Sequence, residues 1–444
     1  MTGDRLFSYY LSLALRSLRN NVALTSLMVL AIGVGIGASM TMLTIFRAAN
    51  GNPIPEKSAQ LFVPQIDNFG PQPGAPPQAR DLLPPDLTYT DAQALMQAHL
   101  ATHQAAMYPT TVSVTPPDAR QVPLQGHARA TYRDFFTMFD VPFQFGTPWG
   151  QSEDDGHAAV VVLTRAFNQQ LFGGADSVGR SLLINNRPYR VIGVLNSWQP
   201  RPLFYDLGQQ NFSGADQLFL PFTRAVDAQM MTSSNFNCDR PGAGSGWDGI
   251  LRSNCIWIKF WLELPDAQAV ARYRTFLNNY AAEQRQLGRF HWAPRIALRD
   301  VPEWLAYNHV MPAAVTTLTS VSFAVLAVCL LNAAGLMLAK YMSRSASVGV
   351  RRALGADRPA IFAQGLVEAG MLGLIGGLIG VGLIQLGLIG SRAELPQDLS
   401  VLTHMRASDF FIAVSLAIVT ALLAGLYPAW RAMQVEPALQ IKAE

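Results

Sequence analysis

The 444-residue sequence predicts a membrane α-helical protein: four transmembrane helices, one plus three, with a large mixed α+β domain of two subdomains on the far side of the membrane from the cytoplasm. Three observations carry this. Four apolar stretches, near 24–46, 314–339, 366–389 and 410–426, are long enough to cross a hydrocarbon core, which takes about 20 helical residues. The stretch between the first and second reads as an ordinary soluble domain. The mean hydropathy of +0.18 is too low for spans alone and high for a soluble protein.

Residues 1–22 come first. Within them, 4–20 reads as an amphipathic helix lying on the cytoplasmic membrane face. Arg5, Ser8, Ser12, Arg16 and Arg19 form one stripe, and Leu6, Phe7, Tyr10, Leu13 and Ala14 the opposite one. The first span, 23–47, is longer than the ~7–15 apolar residues of a signal-peptide core and lacks a clear cleavage site, so it is expected to remain as an anchor. Gly33 and Gly37 give its centre a GxxxG face for close helix packing, within the chain or between two copies.

The domain expected outside the cytoplasm covers 48–308, with 48–130 plus 255–305 as one subdomain and 131–254 as the other. A Pro-rich coil, Pro71 to Pro85, opens it. A helix over 90–100 is expected, capped by Thr90 or Asp91. Strands are expected over 158–163 and 189–195, with a helix over 165–172 ended by Gly173 and Gly174. Residues 256–264 alternate as a strand with Trp257, Lys259 and Trp261 on one face, and a helix is expected next, over 266–288. Cys238 and Cys255 flank a Gly-rich segment. An oxidising compartment lets them bridge, worth roughly 3 kcal/mol for so short a loop, and the alternative of two thiols stays open.

The second span is 309–340, with Cys329 read as a packing residue. A cytoplasmic segment, 341–360, comes next; its helical spacing of Val348, Val350, Ala353 and Leu354 is crowded with arginines, ahead of Asp357 as N-cap and Pro359 in the next first turn. Such a helix suits a partner protein or lipid headgroups. The third span, 361–390, carries Gly373 and Gly377 as a second small-residue face and Glu368 near its cytoplasmic end. An intramembrane carboxylate is a functional candidate, or the structural partner of a nearby arginine. A short periplasmic loop, 391–407, leads to the fourth span, 408–430, and a cytoplasmic tail, 431–444.

Orientation is set by the cations. Arg5, Arg16 and Arg19 precede the first span, Lys340, Arg344, Arg351, Arg352 and Arg358 fill the 341–360 region, and Arg431 and Lys442 come after the fourth span. The loop at 391–407 holds only Arg392 and Arg406 against nearby acids. The positive-inside rule therefore puts both termini in the cytoplasm and the 48–308 domain outside it.

No enzyme constellation stands in the chain: HExxH, CxxC and GxSxG are absent, and no catalytic or metal-ligating residues are assigned. The four lysines, Lys57, Lys259, Lys340 and Lys442, all lack the preceding glycine of a phosphate-cradling GxxxxGK[ST] loop, so ATP chemistry is expected elsewhere. A net charge of +3 without a basic run points to no nucleic-acid partner.

Several segments resemble the permeases of the MacB type, a MacB/FtsX-like family of the ABC transporter superfamily. VGVRRALGA, from Val348 through Gly349, Val350, Arg351, Arg352, Ala353, Leu354 and Gly355 to Ala356, resembles the family's "IGIRRALGA", and Gly365–Ala369 resembles the family's next segment. Ser347 stands where the family usually carries a glutamate. The end, Gly425–Arg431 with Val435–Leu439, is similar to the family's "G-x-x-PA-x-RA…DPVEAL". SVGRSLLINNRPYRVIG, from Ser177 to Gly193, is similar to "DPVGKxIxxNGxPxxVVG" of the periplasmic core domain.

The resemblance implies a homodimeric permease, each copy bound to an ABC ATPase that supplies ATP and Mg, with no cofactor in this chain. It further implies a periplasmic membrane-fusion adaptor and an outer-membrane channel, with ATP hydrolysis relayed by mechanotransmission to efflux of a peptide, antibiotic or similar compound from the periplasm. Residues 348–355 and Arg358 would be the ATPase-coupling segment. Relatives that extract lipoproteins, or that regulate a cell-wall hydrolase, are the alternatives on the same topology.

Overall fold

A computed structural model describes residues 3–70, 82–116, 122–207, 216–238, 244–311, 313–343, 345–353, 355–394 and 407–434. Most of the expected Pro-rich coil, Leu354, most of the 391–407 loop and the tail from 435 on lie outside them. The chain divides into two compact units, Gly51–Val310 and the pair Met1–Asn50 with Met311–Glu444.

Gly51–Val310 is built on one sheet. Its strands are β1 (Leu61–Ile66), β2 (Leu87–Thr88), β3 (His103–Thr115), β4 (Leu124–Thr131), β5 (Phe143–Gly146), β6 (Val160–Leu163), β7 (Ser181–Ile184), β8 (Arg187–Leu195), β9 (Leu218–Pro221), β10 (Ile256–Glu263) and β11 (Ile296–Asp300). The order β11-β1-β10-β3-β4-β9-β6-β8-β5 is antiparallel apart from the β4–β9 and β6–β8 pairs. The 13-residue β3 is the spine: it pairs with β10 at its start, β4 along its length and β7 at its end. The expected subdomain boundary near 130 falls at the end of β4, which pairs with β3 and β9, so hydrogen bonding continues across it.

Local rules explain most elements. Thr164 caps the helix Arg165–Phe172, accepting from Phe167 N, and Gly173 ends it with φ +68°, where a side chain would be strained. Asn185 and Asn186, both with positive φ, turn β7 into β8, a hairpin in which asparagine tolerates the left-handed region. Asp266 caps the helix Ala267–Gln286 through Ala269 N. The helix expected over 90–100 runs Tyr89–Ala98, and its cap is Thr88 rather than Thr90 or Asp91. Asp91, three residues on, is committed elsewhere: it accepts from Tyr280 Oη at 2.7 Å and from Arg289 Nη2 at 2.8 Å.

Strand β10 lies in the core of this unit. Seven of its eight residues are buried, so both faces are covered. On one face Trp257 packs edge-on against Tyr108. Residues 204 and 205 lie over Trp261, whose indole N–H donates to the Tyr205 carbonyl. Cys238 and Cys255, just before β10, are joined as a disulfide.

The other unit is helical. The helix Gly3–Asn20 precedes four helices long and apolar enough to cross a membrane, Val22–Ala49, Ala313–Ser343, Arg358–Gly390 and Ser408–Met433. A short helix, Ser345–Ala353, joins the second and third. Glycine decides how the spans meet. A Cβ on Gly33 would come within 3.1 Å of Ile379, and one on Gly37 within 2.8 Å of Leu383 Cβ, so this face packs on the third span. Gly373 and Gly377 pack on the fourth span, where a Cβ would reach 2.8 Å from Ala421 and 2.9 Å from Ala417. Gly376 and Gly380 receive Ile32 and Ile36 of the first span. The third span thus carries two small-residue faces, both used inside the chain.

Candidate coupling site at the foot of the helical unit

One end of the helical unit, its foot, gathers the helix Gly3–Asn20, the end of the second span, the helix Ser345–Ala353, the start of the third span and the end of the fourth. At its centre Lys340 Nζ is paired with Glu368 Oε1, and Ser17 Oγ donates to the same oxygen at 2.8 Å. The lysine and carboxylate side chains are 1% and 4% exposed. An isolated ion there would be very costly; pairing plus a further donor is what makes it tolerable. The partner is thus Lys340 rather than an arginine, and the three groups tie three helices together.

Glu368 and Ser17 also face a cavity of about 130 Å³. Leu13, Arg16 and Ser17 line it from the first helix, Tyr341 from the second span, and Val348 and Arg351 from the short helix. Ile361, Gln364, Gly365 and Glu368 contribute from the third span, and Ala429 and Ala432 from the fourth. Arg351 Nη1 donates to Gln364 Oε1 at 3.2 Å.

The short helix is therefore two-faced. Val348 and Arg351 turn to the cavity, whereas Val350 is 55% exposed and Ala353 is exposed too, as is Arg358 at the start of the next helix. Gly349 is buried and Arg352 half-buried. The helix ends with Gly355 N donating to Arg352 O and Ala356 N to Arg351 O, and Gly355 takes φ +101°. Asp357 precedes the next helix, its carbonyl accepting from Ala360 and Ile361, with Pro359 in the first turn. Of the coupling residues read from the sequence, Leu354 lies outside the described residues.

The soluble unit has a polar cluster of its own, which the sequence reading missed. Arg129, 1% exposed, reaches Asp216 through Nε and Nη2, each at 3.0 Å, and Asp206 through Nη1 at 2.7 Å, and its guanidinium lies over the Tyr205 ring. Lys259 of β10 pairs with Asp86 and lies 3.6 Å from Asp206. Burial works against the Arg129 charge, but Asp206 and Asp216 outweigh it and hold its pKa above the usual value. Burial likewise pushes Asp206 up, yet Arg129 and Lys259 hold it below the usual carboxylate range, whereas burial wins at Asp216 and raises it. A lysine between two tryptophans, in a strand apolar up to its terminal Glu263, was the available signal, since such a cation needs a buried counter-ion. The cluster clamps residues 205–206 onto the sheet. Among the described residues no group of three His, Cys, Asp or Glu side chains is placed to hold a metal ion.

A mixed sheet inserted between the first and second of four apolar helices, with an arginine-bearing short helix between the second and third, is the architecture of a multi-span membrane protein carrying one large folded insert. The chain belongs to the MacB-like family: it matches the MacB-like periplasmic core domain over residues 25–272, and its later part matches the FtsX-like permease C-terminal domain over 319–437. Among named relatives, the macrolide export ATP-binding/permease protein MacB of Azoarcus sp. is 26% identical over 433 residues, covering 97% of this chain and 59% of that protein. Its counterpart in Rhodospirillum rubrum is 26% identical over 449 residues, 99% of this chain and 61% of that protein. The chain thus spans about three fifths of the length of the curated relatives it matches. The crystal structure of the periplasmic region of MacB from Actinobacillus actinomycetemcomitans superposes with a TM-score of 0.36 at 13% identity, over 57% of this chain and 94% of that one, a likeness too loose to carry weight.

Proposed function

We propose that this chain is the permease subunit of an ABC exporter in a bacterial inner membrane, with both termini cytoplasmic, the 48–308 domain periplasmic and the 391–407 loop on the same side. A partner ATPase, holding ATP and Mg, engages the outward face of the helix 345–353. Its stroke is relayed through the spans to the soluble unit, which drives a peptide, antibiotic or similar compound out of the periplasm. The chain acts as a homodimer with a membrane-fusion adaptor and an outer-membrane channel. The observation that carries this reading is the two-faced short helix, anchored to the bundle by Val348 and Arg351 while Val350 and Ala353 stay exposed. The relatives named as ATP-binding/permease proteins support it. So do spans joined by glycine faces, which suit a transmitted motion better than a polar pore.

The test is Val350→Glu together with Ala353→Glu, introduced into the full chain and co-reconstituted with its ATPase. Stimulated ATP hydrolysis should fall by about tenfold or more, as expected when charge enters an apolar contact worth a few kcal/mol. The folded yield should not change. Undiminished stimulation would refute the assignment of this face.

A further inference from the structure

We infer that the cavity at the foot of the helical unit binds the phosphate of an anionic phospholipid. Charge is the first consideration. Arg16 and Arg351 line the cavity from two separate helices and are exposed, while the carboxylate on its wall, Glu368, is already engaged by Lys340 and Ser17. Among the described residues the cavity wall thus carries two arginines and one carboxylate that Lys340 already neutralises, and the surplus positive charge suits an anion. Size narrows the choice: about 130 Å³ has room for several waters or one phosphate group, but not for a whole lipid or a folded segment.

The rest of the wall explains why the phosphate should come on a lipid. Leu13, Val348, Ile361, Ala429 and Ala432 make an apolar lining continuous with helices long enough to cross a membrane, a surface that free phosphate has no use for. Basic pockets between membrane helices at a membrane boundary are where headgroups are recognised. Gln364, held by Arg351 at 3.2 Å, adds an amide N–H pair that donates to phosphate oxygens. A bound headgroup would join the first helix to the short helix through Arg16 and Arg351, adding to the tie that Ser17 and Lys340 already make. It would leave Val350 and Ala353 free for a protein partner, so the inference does not depend on the ATPase.

The experiment is native mass spectrometry of the full chain in mild detergent, delipidated and offered phosphatidylglycerol or phosphatidylcholine at equal concentration. Wild type should retain phosphatidylglycerol in preference by about tenfold, as two cations near one phosphate imply. Arg16→Gln with Arg351→Gln should abolish the preference, and Arg47→Gln, at the opposite end of the first span, should keep it. Ala432→Phe, which fills the cavity without removing a charge, should abolish it too and serves if the double variant does not fold. Equal retention of the two lipids would overturn the inference, as would loss of the preference in Arg47→Gln. Full competition by millimolar inorganic phosphate would assign the site to free phosphate instead. Protection of Arg16 and Arg351 from chemical modification only by a bound protein would assign it to a protein contact.

Discussion

Replacing Lys340 by Met should destabilise the helical unit severely, and replacing Glu368 along with it should reverse most of the damage. In the structure the pair is almost completely buried, and among the described residues the carboxylate has one other donor, Ser17. Removing the cation leaves a carboxylate that a single hydroxyl cannot satisfy, and breaking a buried pair in this way costs about 3–5 kcal/mol. Methionine fills much the same volume as the lysine stem, so little of that loss is packing. The double variant Lys340→Met/Glu368→Met removes both charges and should come within about 1–2 kcal/mol of wild type, since a buried pair is often no more stabilising than well-packed apolar groups. Ser17→Ala removes one hydrogen bond to a charged group, about 1.5–3 kcal/mol. Unfolding of the full chain in one detergent, monitored by helical circular dichroism, would rank the variants: wild type near the double, then Ser17→Ala, then Lys340→Met. A single variant as stable as wild type, or a double variant no better than the single, would refute the view of this pair as a mutually dependent tie.

The same physical rules govern three other sites. Arg129→Met should cost about 3–5 kcal/mol in denaturant unfolding, because among the described residues it leaves Asp216 to Tyr205 and Asp206 to Lys259. Gly373→Val should lower the yield of folded protein more than Gly382→Val, because a Cβ at 373 would sit 2.8 Å from both Ala417 O and Ala421 Cβ whereas nothing lies within 4 Å at 382. Asp154 titrates near neutrality, its carboxyl pushed up to about 7 by burial against the bonds it accepts from Arg133 N and Trp149 Nε1. A carboxyl raised on folding contributes stability fully present below its usual value of 3.8 and lost as pH rises through about 7. Wild type should therefore lose stability relative to Asp154→Asn between pH 4 and 8, and a difference that does not vary with pH would contradict this.

What the sequence made legible was whatever repeats locally. Each span announces itself by composition over some twenty residues, and the helix Arg165–Phe172 carries both its stop and its start in a few neighbouring letters. The segment 348–356 was legible because its arginines alternate with apolar residues at helical spacing. The partners of buried charges were not. Glu368 invited an arginine from the nearest basic cluster, yet its partner Lys340 comes 28 positions earlier, and Ser17 joins it from 351 positions away. Asp86 and Lys259 are 173 positions apart, and only the fold brings them together. Strand β10 shows the same limit: its sequence does not say what covers Lys259 and Trp261, and in the fold residues 204–206 do so. The cap at Thr88 was missed for a related reason, because Asp91 is an equally good cap until Arg289 and Tyr280 claim it.

The glycine faces illustrate an intermediate case. Spacing alone shows that Gly33 and Gly37, or Gly373 and Gly377, admit a close neighbour, but not which one. The structure places neighbours from the same chain on all four positions.

The most direct test of the exporter reading is to isolate the full chain in mild detergent from its own host's membranes and identify its companions by mass spectrometry. An ABC ATPase together with a periplasmic adaptor or an outer-membrane channel is the expected result. Recovery of the chain with no ATPase at all would contradict it.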